Sequence, residues 1–91
     1  MIERKAHEYT YLKLPPEREL RSCVGLVLAG MAARARIGVG NLDEAIDLLE
    51  GFHSESGPTR FRFFLDEDRV VAEVEDSSHP GSWRPVVELV S

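Results

Sequence analysis

The spacing of apolar residues changes twice along this chain, and that limits the folds open to it. From Tyr9 to Leu14 the period is two. Tyr9, Tyr11 and Lys13 point one way and Thr10, Leu12 and Leu14 the other, as in a strand. Pro15 and Pro16 stop it, and proline suits the first turn of a helix, where its missing N–H is no loss. From Pro16 to Ala35 the period becomes helical, with Leu20, Val24, Val27, Leu28, Met31 and Ala35 on one stripe. Glu17 and Glu19 in the first turn, and Arg34 and Arg36 in the last, complement the helix dipole. Gly25 and Ala29, small residues four apart, allow a second element to come close, while Gly30 weakens the helix.

Ile37 to Asn41 reads as a turn, after which Asn41 or Asp43 can cap a second helix over Leu42 to His53. Its buried stripe is Leu42, Ala45, Leu49 and Phe52, flanked by Ile46 and Leu48, with Asp43, Asp47 and Glu50 opposite. Ser54 to Pro58 ends it, and period two returns. Arg60 to Leu65 and Arg69 to Glu75 form a hairpin joined at Asp66 to Asp68. Asp76 to Trp83 is a loop. Pro85 to Val90 is a last strand, placed at an edge because Pro85 cannot donate to a ladder. The order β-α-α-β-β-β predicts an α+β fold of two layers, with two helices on one face of a mostly antiparallel four-stranded sheet. Ninety-one residues make it a single domain, 1–91.

A formal charge of -5 argues against binding to a phosphate backbone, which needs an excess of Lys and Arg. No nucleic-acid partner is therefore expected. The longest apolar run, Val24 to Ala33, is about half of what a membrane span needs, and the polar start Met1 to Tyr9 does not resemble a signal peptide. With one cysteine, Cys23, a disulfide within the chain is excluded, so the expected compartment is the cytoplasm. Cys23 lies in an apolar helical run and reads as buried and inert.

Reactive constellations are sparse. Glu50 and His53 are three apart, with Asp47 one turn back, but a metal site wants three or four ligands and only loop residue His79 offers another. His53 reads instead as a boundary histidine near a helix C-terminus. Ser54, Ser56, Ser77, Ser78 and Ser82 all lie in loops, where serines serve turns and caps. The glycine turn Gly38 to Asn41 follows a helix rather than a strand, so it is not a dinucleotide fingerprint. Arg60 and Arg62 share one strand face and read as solvated, with contact to a partner as the alternative, and Trp83 reads as a lid over the core, with a binding hot spot as the alternative.

Three stretches carry a resemblance. "YTYLKLPPERELRSCVGLVLAGMAARARI" is similar to the opening strand and long helix of the histidine-kinase-type ATPase fold, in its branch of bacterial anti-sigma factors that are serine-protein kinases. "LDEAIDLLEGFHSES" sits where that branch has its second helix, and "RFRFFLDEDRVVAEVEDSS" resembles its central hairpin. The likeness covers roughly Glu8 to Ser78. In the family, a glutamate on the second helix orients the attacking group and an asparagine four residues on holds magnesium. Here Glu50 aligns with the glutamate, but Ser54 stands in the second place. The family's Asp-x-Gly-x-Gly motif, which contacts adenine, leaves Asp76 followed by Ser77, Ser78, His79 and Pro80, with a glycine only at Gly81. Ser82 to Ser91 leave no room for the family's lid and phosphate-cradling turn.

The resemblance therefore implies a degenerate, shortened relative with its ATP site lost. The expected role is a non-catalytic regulatory protein-binding module without cofactor or metal. Implied partners are a sigma factor or an anti-anti-sigma protein, and a second copy in a homodimer. The exposed side of helix one, with Arg18, Arg21 and Arg34, is the expected partner surface. The alternative is a residual kinase that binds ATP with magnesium through Glu50, Ser54 and Asp76. A third reading is a structural subunit completed by another chain, which an apolar patch near Trp83 and Phe61 or Phe63 would favour.

Overall fold

The structure, a computed structural model, describes residues 8–38, 40 and 42–90. Strand β1 (Thr10–Leu14) leads through a 3-10 turn (Arg18–Leu20) into helix α1 (Cys23–Arg34) and helix α2 (Leu42–Glu50). Strands β2 (Thr59–Asp66), β3 (Arg69–Glu75) and β4 (Trp83–Val90) then form a meander. The sheet has the order β1-β2-β3-β4, and every neighbouring pair is antiparallel. This is the α+β architecture that the periodicity predicts. As Pro85 suggests, β4 is an edge strand. An irregularity between Ala72 and Glu73 on β3 places Val87 and Pro85 opposite them and leaves Val86 as the extra residue of a bulge.

One face of the sheet carries the core. Phe61 and Phe63 on β2, Val70 and Ala72 on β3, Val24 and Leu28 on α1 and Leu49 on α2 are fully enclosed. Leu14, Val74, Val87 and Leu89 complete the layer. Gly25 brings the helices together as its small size suggests: a Cβ there would stand 2.8 Å from Ile46 Cγ2. The lone cysteine, Cys23, opens α1 half-buried at the margin of the core rather than within it.

Both helices are shorter than their apolar stripes. Before Cys23 the backbone stays helical at Arg21 and Ser22, but its hydrogen bonds run i to i+3: Leu20 to Glu17, Arg21 to Arg18 and Gly25 to Ser22. This is the tighter 3-10 geometry common at helix ends. At the far end of α2 the same tightening joins Phe52 to Leu49 and His53 to Glu50, so the regular helix stops three residues before His53. The expected cap at Asn41 lies outside the described residues.

Helix α1 ends in a Schellman motif. The N–H of Ile37 bonds to the carbonyl of Ala32 at 2.9 Å and that of Arg36 to Ala33 at 3.1 Å. The left-handed position of this motif normally holds glycine. Here it holds Arg36, at φ 57°. Glu67 takes a similar φ of 59° in the two-residue turn between β2 and β3. Relief of that backbone strain should make Arg36→Gly more stable than wild type by about 0.5–1 kcal/mol. Urea denaturation monitored by circular dichroism measures this, and an unchanged or lower midpoint would contradict it.

Candidate functional site

The face of the sheet that carries no helix is built by strand alternation. Tyr11 and Lys13 on β1 share a side with Arg60, Arg62 and Phe64 on β2. Register then sets Arg62 opposite both Tyr11 and Glu73, and Phe64 opposite Val71. Trp83 joins this side because it pairs with Glu75, itself in the row of Arg60. The result is an aromatic and guanidinium cluster. The Arg62 guanidinium lies 4.3 Å from the centre of the Tyr9 ring and 4.5 Å from that of Trp83. Arg60 stands 5.8 Å from Trp83. Edge-on contacts tie Tyr9 to Phe64 and Tyr11 to Trp83.

Charges on this face come in cross-strand pairs. Arg62 Nε hydrogen-bonds to Glu73, Arg60 to Glu75 at 3.2 Å, and Arg69 bridges Asp66 and Glu88. Partial burial would lower the Arg62 pKa, but the hydrogen bond and charge of Glu73, with Tyr9 and Tyr11 nearby, outweigh it and hold the pKa above the ordinary value. Two expectations are corrected here. Trp83 is not a lid over the core but lies on the opposite side of the sheet from it. Arg60 is exposed as expected, while Arg62 is not simply solvated, since its side chain is 19% exposed, paired with Glu73 and stacked on two rings. Phe61 and Phe63 are fully enclosed in the core, so neither forms an apolar patch with Trp83; the exposed rings are Tyr11, which meets Trp83, and Tyr9, which meets Phe64.

A second feature is a cleft of about 470 Å³ at one end of the sheet, lined by Phe52, Ser54, Thr59, Asp76 and Arg84 among others. It brings together Ser54 and Asp76, two of the three residues of the nucleotide alternative. Glu50 does not line it and instead faces Arg21 at 3.9 Å. The polar groups of the cleft largely serve one another. Ser54 Oγ and Ser56 Oγ share a 2.8 Å hydrogen bond, and Thr59 Oγ1 accepts from Ser54 N. The Asp76 carboxylate accepts from the Ser78 N–H at 2.9 Å and contacts His79 Nδ1 at 3.3 Å. These two interactions hold its pKa below the ordinary aspartate value, against a small opposing effect of desolvation. Gly81, at φ 89°, lets the loop turn back so that its N–H reaches Glu75 Oε2.

The histidine just beyond the second helix has a structural task. His53 Nε2 lies 2.9 Å from the carbonyl oxygen of Pro15. A carbonyl can only accept, so Nε2 carries the proton and fastens the end of α2 to the end of β1. Among the described residues, no group of three or more His, Cys, Asp or Glu could hold a metal ion. Arg18 is exposed in the 3-10 turn, Arg34 is exposed as the last residue of α1, and Arg21 lies between them beside Glu50. The expected turn at Asp66 to Asp68 is one residue shorter, because Asp66 belongs to β2 and pairs with Arg69, and that shift sets Arg62 opposite Glu73. The adjacency of β1 and β2, across two helices, was not within reach of the sequence.

Two measurements check this geometry. Arg62→Ala leaves Glu73 unpaired and removes the stacking, which should cost about 1–3 kcal/mol of stability. Arg62→Lys keeps the charge but loses the planar stack and should fall between. Equal stabilities in urea for all three proteins would contradict the stack. For Asp76, a lowered folded-state pKa means stabilisation that is present at neutral pH and lost as pH falls through that pKa. The melting-temperature gap between wild type and Asp76→Asn should therefore close as pH drops below about 4, and a gap that persists undiminished as pH falls further would sink the assignment.

Among the described residues, no helix is long and apolar enough to cross a membrane. No protein family, no curated protein and no solved structure matches this chain.

Proposed function

We propose that the chain is a non-catalytic regulatory protein-binding module of the bacterial cytoplasm, similar to the anti-sigma factors, with the nucleotide site of that fold lost. The observation that carries this reading is the helix-free sheet face. It gathers Tyr9, Tyr11, Phe64 and Trp83 around paired arginines, and Tyr11 is 59% exposed. Tyr, Trp and Arg are the residue types that dominate binding energy in protein interfaces. Charges there are already matched in pairs, which suits a protein surface better than a polyanion. In support, Glu50 is engaged by Arg21, and Asp76 closes its own loop. A sigma factor or an anti-anti-sigma protein is the partner class implied by the resemblance. Arg18, Arg21 and Arg34 offer the alternative surface.

A residual ATP-binding kinase is the second reading. One observation favours it: Ser54 and Asp76 line the same cleft. The two readings separate in one set of experiments. Proteins captured from bacterial extract on the immobilised chain are purified and their binding measured directly, alongside calorimetry with ATP and magnesium. We expect Tyr11→Ala with Trp83→Ala to weaken partner binding by tenfold or more, roughly the loss of one interface hot spot. The triple substitution of Arg18, Arg21 and Arg34 to Ala should change it little. Calorimetry should show no heat at near-millimolar nucleotide. Magnesium-dependent heat that disappears in Asp76→Asn would establish the second reading instead.

A further inference from the structure

The bulge at Val86 aims an unpaired arginine into the cleft, and we infer that the cleft binds a small zwitterion, an α-amino acid with an apolar side chain, whose carboxylate lies on Arg84. This goes beyond the binding-module reading, which concerns the opposite side of the sheet. Alternation along β4 sets the geometry. Val87 pairs with Ala72 on the core side. Counted back from Val87 without the extra residue, Pro85 would fall on that side and Arg84 would face away. With Val86 as the extra residue, Arg84 instead pairs with Val74, a member of the core, and Trp83 goes to the other face. Bulges re-aim side chains in this way and are frequent beside functional sites.

Position 84 is therefore in line with Val87 and Leu89, both buried, yet it carries a charge and is exposed. The other arginines of the sheet are matched: Arg60 with Glu75, Arg62 with Glu73, and Arg69 with Asp66 and Glu88. Arg84 stands over the Phe52 ring at 5.8 Å and, among the described residues, has no hydrogen bond or ion pair. Its N–H donors are unspent, in a planar fork that fits a carboxylate bidentately.

The neighbouring groups define the rest of the ligand. Ser54 Oγ accepts from the Ser56 N–H at 3.1 Å, and the two hydroxyls share one bond. That bond uses only one of their two hydrogens, so the other remains to donate. Asp76 engages the Ser78 N–H and His79, and its carboxylate still has acceptor positions open. The charge of Arg84 acts favourably on Asp76 without the two forming an ion pair. A ligand with a carboxylate for Arg84 and an ammonium for Asp76 bridges that separation, and Phe52 and Pro58 offer an apolar wall to its side chain. Glu75 and Asp76 both line the cleft, so a phosphate dianion meets like charge there, whereas a zwitterion brings no net charge. The volume of about 470 Å³ is that of a small-molecule site.

Titration of the isotope-labelled chain with L-phenylalanine, followed by nuclear magnetic resonance, tests this. A ligand of about a dozen non-hydrogen atoms should bind with a dissociation constant in the millimolar range and move the amide signals of Ser56, Gly57 and Ser77. Phenylalaninamide lacks the carboxylate and N-acetylphenylalanine the ammonium. Each should bind about tenfold more weakly, the loss of one charge-assisted contact. Arg84→Gln should weaken phenylalanine by a similar factor. Asp76→Asn keeps an oxygen for the Ser78 N–H and should abolish the preference for phenylalanine over its N-acetyl derivative. Signals that stay in place up to about 50 mM phenylalanine, well above the expected constant, overturn the inference, as does binding unchanged in Arg84→Gln. N-acetylphenylalanine binding as tightly as phenylalanine also overturns it and points to a peptide C-terminus instead. ATP with magnesium, added to the same sample, should leave the signals where they are. If it moves them and phenylalanine does not, the cleft belongs to the nucleotide reading. Partner binding through Tyr11 and Trp83 is measured with other variants, so the binding-module reading stands or falls on its own result.

Discussion

Everything in this small protein depends on covering one face of one sheet. Phe61 and Phe63 project from β2, the strand with neighbours on both sides that also pairs with β1, and both are wholly removed from solvent. Val24 and Leu28 from α1 and Leu49 from α2 meet them from above. Each such side chain contributes roughly 1.5–3 kcal/mol of transfer free energy, and a chain of this length has few of them. The close approach of Gly25 to Ile46 and the fastening of His53 to Pro15 matter because they hold both helices down on that face. The single layer of helices also explains the other face. With no third layer among the described residues, the sheet makes its second side tolerable to water by its own side chains.

It does so by matching them across strands. Arg62 stacks between two rings and bonds to Glu73, which lets Tyr9 and Trp83 sit at the surface without forming a bare apolar patch. Guanidinium is suited to this because it is planar and weakly hydrated, so it can lie against aromatic faces while its edge hydrogen-bonds to a carboxylate. The same contacts hold the Arg62 side chain in place against its neighbours. A surface whose side chains are already held in place loses less freedom when something binds to it.

Much of the fold was legible in the sequence because periodicity reports directly on which side of an element is buried. Strand β3 occurs with the bounds read from alternation, and the edge position of β4 follows from Pro85. Helix ends were less legible. The i to i+3 bonds that tighten Glu17 to Gly25 and Leu49 to His53 do not alter the apolar period, so the stripe overstates the helix. The chain also ends α1 with Arg36 in a position that composition would assign to a glycine such as Gly38. The site was least legible. Trp83 falls between a loop and a strand, where alternation has little to count, and its side of the sheet is fixed only by pairing with Glu75. Asp76 and Ser54 do share a cleft, yet Ser54 bonds to Ser56 in its own loop, as the turn role of such serines predicts, and Asp76 closes its own loop as well.

The order of strands has a kinetic consequence. Strands β2, β3 and β4 follow one another through short connections, so the meander can form from contacts local in sequence. Strand β1 joins it only after the whole helical segment between Leu14 and Thr59 has been brought round. Contacts that close so long a loop form late and are the first to open. With five residues at the margin of the sheet, β1 is the natural unit of partial unfolding in the native ensemble. It carries Tyr11, and Tyr9 just before it, so its detachment removes half of the aromatic cluster while the Phe61–Phe63 core stays largely in place. Opening of this one short strand would thus dismantle the aromatic cluster without global unfolding of the protein.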